Sequence, residues 1–160
     1  MDMFSKVLLS DVIPESPSPR SVLKNPADHW SLPILLERAA YLRKLAAYGD
    51  GVATETLKEH PSHLTMLCFR SRDGIIESHE SATVFFHILE GRATLVTGGM
   101  MAGVKTVAQG EMQGDRIEGG TRQELRAGDV VHIPAGVPHQ VLVAGEKTIT
   151  YLVVKIMETL

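Results

Sequence analysis

A single cysteine, Cys68, stands in the 160 residues. One thiol excludes an intrachain disulfide and fits a reducing compartment, so a cytoplasmic protein is expected. Cys68 lies in the apolar run Leu64-Thr-Met-Leu-Cys-Phe69, where a packed core thiol is expected rather than a nucleophile. Long hydrophobic stretches are also missing, and none approaches the length needed to span a bilayer. The opening Met1-Asp-Met-Phe-Ser-Lys-Val-Leu-Leu9 has an acid beside its first residue and too little apolar sequence for a secretory signal. Positive charge is not in excess either. Sixteen Lys and Arg against 19 Asp and Glu give a formal net charge of -3, which removes the electrostatic case for a nucleic-acid partner. Helical sequence is scarce: residues 31 to 48 hold the one convincing helix, so a helix-turn-helix lacks its second member. No repeat of useful period appears.

What is present suits one soluble domain with a real core, since 44% of residues are hydrophobic and 22% charged. Three regions are expected. Residues 1–30 carry Pro14, Pro17, Pro19 and Pro26, which rule out a regular helix or central strand. The stretch is then either a mobile tail or an extended arm along another surface, and Val7, Leu8, Leu9, Val12 and Ile13, which give an arm something to bury, favour the arm. Residues 31–50 form the helix, with Ser31 as N-cap, Pro33 in the first turn and Gly49 as terminator. Leu32, Leu35, Leu36, Ala39, Leu42, Leu45 and Ala46 recur at helical spacing and make one apolar stripe, as a helix packed outside another layer requires.

From residue 51 to 160 the pattern becomes short strands punctuated by glycine, the signature of an antiparallel β-sandwich or barrel. Strands are expected over 54–57, 64–70, 75–79, 84–90, 93–97, 125–133, 140–143 and 148–156. Between Gly98-Gly99 and Gly119-Gly120 a mixed-charge, Gly-rich stretch reads as an inserted hairpin or loop, either covering a pocket mouth or extending into solvent.

The most informative segment is Gly128-Asp-Val-Val-His-Ile-Pro134-Ala-Gly136-Val-Pro-His139-Gln-Val-Leu-Val143. Val130, Val131 and Ile133 suit a buried strand, Pro134 and Gly136 turn the chain, and Pro138 stiffens the backbone just before His139. The turn thus presents one imidazole from a rigid support, where a metal ligand or an acid/base is useful. This segment resembles the second motif of the cupin family, in which Gly, Pro, Gly and His recur at the spacing of Gly128, Pro134, Gly136 and His139. The Asn that often closes that motif falls on Val143.

A first cupin motif has its place in Gly74-Ile-Ile-Glu77-Ser-His79-Glu-Ser-Ala-Thr-Val84-Phe-Phe-His87-Ile-Leu-Glu-Gly91. Anchored on Gly91, His79 takes the second His position, Glu77 the first, and Val84 the place of the usual Glu. Residues 77 and 79 share one face of a strand because side chains alternate with period two. A carboxylate and an imidazole both suit a borderline divalent ion such as Fe, Mn, Ni or Zn, and His139 would come from a facing strand. His87 is a fourth candidate. If Val84 points inward His87 points outward, unless a bulge at 81–83 reverses the parity. Some small single-domain cupins carry Gln or His at the matching place, so the resemblance implies an inward His87. Glu77 is equally open to reading as a solvated or salt-bridged carboxylate. His132 is expected to pack or hydrogen-bond, His60 and His63 to lie exposed in a loop, and His29 has no argued role.

The resemblance covers residues 52 to 156 and implies a double-stranded β-helix with a pocket between its sheets. It does not fix a reaction. The expected function is a metal-binding cupin acting on a small oxygen-rich molecule, with Glu77, His79, His139 and His87 as metal ligands. That set lies close to the two-His-one-carboxylate arrangement of non-haem iron oxygenases, so a dioxygenase-type reaction is one expectation. The alternative is a ligand-binding or sensing module without an essential metal, favoured by the departures at 77, 84 and 143. A third reading is an assembly protein with a dead pocket. The expected partners are a small-molecule ligand and a second copy of the chain, with the N-terminal arm crossing between copies; no nucleic acid and no membrane are expected.

Overall fold

The structure, a computed structural model, describes residues 27–159. Along the chain lie α1 (Leu32–Tyr48), β1 (Val52–Glu59), β2 (His63–Arg70), β3 (Ile76–His79), β4 (Ala82–Thr97), β5 (Met100–Ala102) and β6 (Lys105–Ala108). There follow β7 (Glu111–Gly114), β8 (Arg116–Glu118), β9 (Thr121–Arg126), β10 (Val130–Ile133), β11 (His139–Leu142) and β12 (Ile149–Met157). The proline-rich arm and its crossing to a second copy fall on residues 1–26, outside those described, and only its last residues come into view. There Asp28 meets His60 at 2.5 Å and Trp30 packs against the helix cluster.

α1 docks outside the sheets. Leu35, Ala39, Leu42 and Ala46, at spacings of four, three and four, are buried against Leu67 and Phe69 of β2. Leu32, expected on this stripe, is exposed, and Leu36 is only partly buried. Ser31 occupies the N-cap position in an extended conformation, and its carbonyl accepts the Leu35 N–H at 3.0 Å. Its hydroxyl makes no capping bond, a departure from the expected side-chain cap. β2 is covered on both faces: Leu67 and Phe69 meet the helix, while Met66, Cys68 and Arg70 face the interior.

β4 holds the domain together. Its first half, 82–91, pairs with β12 and β10, and its second half, 92–97, pairs with β9 and β11. All these pairings are antiparallel, and the sheet curls so that the two halves enclose a core including Val84, Phe86, Ile88, Leu95, Leu125 and Ile149. The change of sheet falls at Gly91. There φ is +83° and an added Cβ would stand 1.9 Å from the Thr148 carbonyl oxygen, so only glycine fits. Opposite it the β12 register shifts between Thr150 and Tyr151, a bulge that bends the ladder. Two expected strands, 84–90 and 93–97, are therefore one continuous element. Conversely, the expected strand 125–133 is broken by a turn at Ala127-Gly128-Asp129, where Asp129 Oδ2 accepts the Arg126 N–H at 2.8 Å.

The 98–120 segment is built into the β-structure rather than a loop appended to it. β5 pairs with β8, and β6 forms a hairpin with β7 through a two-residue Gln109-Gly110 turn. β7 then pairs with β3 over the register Ile76↔Gly114 to His79↔Glu111. That pairing extends the sheet beside the residues expected to form the site.

Candidate metal centre

Three elements bring the expected ligands together. Glu77 and His79 share the inward face of β3, and His139 opens β11 directly opposite Glu77. Pro134, Gly136 and Pro138 set the turn before β11, in which the Val137 N–H bonds the Pro134 carbonyl at 3.2 Å. The Gly136 N–H reaches across to the carbonyl of His79 itself at 2.7 Å, which ties the two motifs. One ligand atom from each of Glu77, His79 and His139 lies within 4.8 Å of the others.

The proton positions on both rings follow from their partners. His139 Nδ1 lies 3.0 Å from the Val137 carbonyl, which can only accept, so Nδ1 carries a hydrogen, and in the neutral ring Nε2 keeps its lone pair. His79 Nδ1 meets two groups, the Glu111 carboxylate and, at a longer 3.3 Å, the Lys155 ammonium; the shorter contact is to the acceptor, which puts the hydrogen on Nδ1 and leaves Nε2 its lone pair in the neutral ring. Both Nε2 atoms then face one carboxylate oxygen: Glu77 Oε1 is 3.5 Å from that of His139 and 3.9 Å from that of His79. Two donors about 2.1 Å from one ion at angles near 90–110° stand roughly 3.0–3.4 Å apart, so an ion would draw the two Glu77 contacts in by less than about an ångström. The donor set therefore fits a divalent transition ion. Nδ1–H bonds to a carboxylate and a backbone carbonyl are the outer contacts that fix ring orientation at such sites.

The electrostatics support ligand protonation states. Burial raises the Glu77 carboxyl, but its two imidazole neighbours and the Arg70 charge outweigh it and hold the group below the usual range. Burial and the Lys155 ammonium lower His79, and they prevail over Glu111 and Glu77, so the ring favours its neutral form. Burial raises Glu111, and its contacts with Lys155 and His79 more than reverse that. Lys155 bonds the Glu111 carboxylate and sits 3.3 Å from His79 Nδ1, completing a Lys155–Glu111–His79 chain.

The triad opens on a cavity of about 340 Å³ walled in part by Met66, Ile75, Val84, Phe86 and Val153. Val84 is buried in this wall, at the place where the first motif would supply a carboxylate. Phe86 lines it with Met66, whereas Phe85 and Leu67 point away from it.

His87 is a correction. It is exposed on the outer face of β4 and stands apart from the triad. The β12 register opposite β4 runs unbroken from Ala82 to Ile88, so no bulge reverses the parity that Val84 sets. His132 stacks on Phe85 with centroids 4.5 Å apart on that same outer side, and His60 stacks on His63 at the surface. Cys68 is buried and its thiol is pushed up by that burial, as a core thiol should be. Val143 is a core residue whose backbone N–H is fixed by Asp73 at 2.7 Å. Glu111 and Lys155 went unforeseen. Their signals were the Gln-Gly hairpin dipeptide before residue 111 and the alternation of Tyr151, Val153 and Lys155 on one face of β12.

Comparison with known proteins agrees with this architecture. The family described as Cupin domain matches residues 104–155, which include the turn and His139. Among solved structures, the cupin domain of Schizosaccharomyces pombe Cnp3 is similar at a TM-score of 0.51 and 13% identity, over 67% of this chain and 61% of that one. A Thermotoga maritima protein described as a predicted oxalate decarboxylase reaches 0.50 and 18% identity, over 66% and 80%. A Cupin 2 conserved barrel domain protein from Salinispora arenicola shows 21% identity at 0.46, over 66% and 75%. No curated protein matches the chain.

Proposed function

We propose that this chain, whose residues 104–155 match the Cupin domain family and whose fold is shared with solved cupin structures, is a small cupin in which Glu77, His79 and His139 hold one divalent transition ion beside a pocket for a small oxygen-rich molecule. The observation that carries this reading is the pair of Nε2 atoms that face one Glu77 oxygen, with the Nδ1 of each ring held by an acceptor on its far side. Two imidazoles and one carboxylate suit Fe, Mn, Ni or Zn, and three protein ligands leave coordination positions open towards the cavity. The ion would supply a Lewis acid or a redox centre, which makes a dioxygenase-type oxidation the leading reaction class. The protein's own residues hold the site in order: Glu111 keeps the proton on His79 Nδ1, Lys155 neutralises Glu111, and the apolar walls exclude water.

A second reading, a ligand-binding module without an essential ion, is favoured by one observation. Val84 fills the place of a fourth ligand with an apolar side chain. Anaerobic titration calorimetry with Fe(II), Mn(II), Ni(II) and Zn(II) separates the two. One site per chain, absent in His139→Ala, supports the metal reading; a folded protein that takes up none of the four supports the second.

A further inference from the structure

Arg70, at the end of β2, turns its side chain into the same cavity as the triad. Its neighbours in the protein are neutral: Nε donates to the Tyr151 hydroxyl at 3.2 Å, and Cys68 lines the cavity beside it. Among the described residues it forms no ion pair, and the nearby carboxylates are engaged elsewhere. Asp50 binds Arg72 at 2.5 Å, Asp73 accepts the Val143 N–H at 2.7 Å, and Glu77 faces the two histidines. A guanidinium is always charged and presents five donors in a planar fork. Holding one in an apolar-walled pocket against a phenol and a thiol is unfavourable unless an anion arrives.

Charge and position point the same way. The cavity's four charged side chains, Glu77, Glu111, Arg70 and Lys155, cancel, so a divalent ion on the triad leaves the pocket at a net charge of about +2. Lys155 is already held by Glu111, and Arg70 is the cation left to a ligand. The two lie at different places: Arg70 contacts Tyr151, four residues before Lys155 on β12, a strand distance of about 13 Å. Arg70 and Glu77 nonetheless line the same cavity. Backbone closes over the guanidinium at Gly74, where an added Cβ would stand 2.9 Å from Nη1.

We propose that Arg70 anchors a carboxylate of the ligand, so that the molecule taken by this pocket is a small carboxylic acid with a second oxygen, hydroxyl or oxo, directed at the Glu77/His79/His139 ion. This rests on the metal reading above and adds the substrate class to it. Arg70 is the specificity-determining residue, and the fork geometry matches a carboxylate by two parallel N–H···O bonds. Tyr151, buried with its hydroxyl held un-ionised by that burial, keeps the fork oriented without competing for its charge.

The test is binding of glycolate, lactate and mandelate, each against its neutral amide, to the metal-loaded full chain by titration calorimetry, with metal content measured on the same samples. At least one acid should bind tenfold or more tightly than its amide. Arg70→Gln should erase that preference while keeping one ion per chain and the amide affinity, and Arg70→Lys should keep only part of it. A preference that survives in Arg70→Gln, or no preference in the wild type, overturns the assignment of Arg70. Failure to load an ion instead overturns the metal reading. Arg70→Lys serves as the second variant should Arg70→Gln not fold, with unchanged acid-over-amide preference in Arg70→Lys contradicting a bidentate contact.

Discussion

Glu111 decides which nitrogen of His79 carries the proton, and Lys155 keeps that carboxylate charged. Removing such an outer partner at a metal site typically costs about 10–100-fold in affinity. Glu111→Ala should therefore weaken ion binding by roughly that factor while leaving the fold intact, as a competitive chelator titration would show; unchanged affinity would mean that His79 is oriented by its backbone alone. His87→Ala should change neither affinity nor stoichiometry, because its side chain lies on the solvent side of β4. The site triad could be read from the chain because motif spacing and period-two alternation put 77 and 79 on one face and 139 behind a stiff turn. The same alternation already turned His87 outward, and family likeness drew the expectation the other way. Arg70 and Glu111 could not be placed in the site from the sequence, since their relation to residue 77 depends on the curl of the sheet rather than on neighbours along the chain.

β4 and α1 show what strand and helix patterns can and cannot reveal. The α1 stripe announced an outer helix, and Leu42, almost wholly buried against β2, is its centre. Leu42→Ala should cost about 2–5 kcal/mol in denaturant unfolding, the range for a deleted core leucine. Metal stoichiometry should not change, because the helix packs on the face of β2 opposite the cavity. A loss of metal with folding intact would show that α1 supports the site directly. Gly91→Ala should prevent folding or sharply lower yield, since the Thr148 carbonyl occupies the space a Cβ needs. Local pattern did not show that β4 runs through Gly91, because a glycine between two apolar runs signals a turn as readily as a sheet-switching bend. The 98–120 stretch was opaque for a related reason. Its strands are three or four residues long, and β7 finds its partner in β3, more than 30 residues earlier.

In the assembled molecule, burial and charge make the protein acid-sensitive. The folded-state value of His79 lies below its usual one of about 6.5, so as pH falls past that point the unfolded chain takes up a proton first and stability declines. Glu77 and Glu111, also lowered in the folded state, carry the decline on below about pH 4.3. The metal-free protein should thus show an unfolding temperature that falls between pH 7 and 5, and a rise over that window would contradict the assigned states. Bound metal should be released over the same range as protons compete for the ligands. We also propose that the chain forms a homodimer, since the sheet path ends in the edges of β1 and β6, and β6 is exposed along its length; light scattering should give twice the mass of one chain, and the mass of a single chain would contradict it. No helix among the described residues is long and apolar enough to cross a membrane. The most direct test of the metal centre is metal content by plasma mass spectrometry on protein purified without a His-tag, beside His79→Ala, His139→Ala and His87→Ala. About one Fe, Mn, Ni or Zn per chain, lost in the first two variants and kept in the third, is the predicted result. A folded wild-type protein that holds no ion even after reconstitution would contradict it.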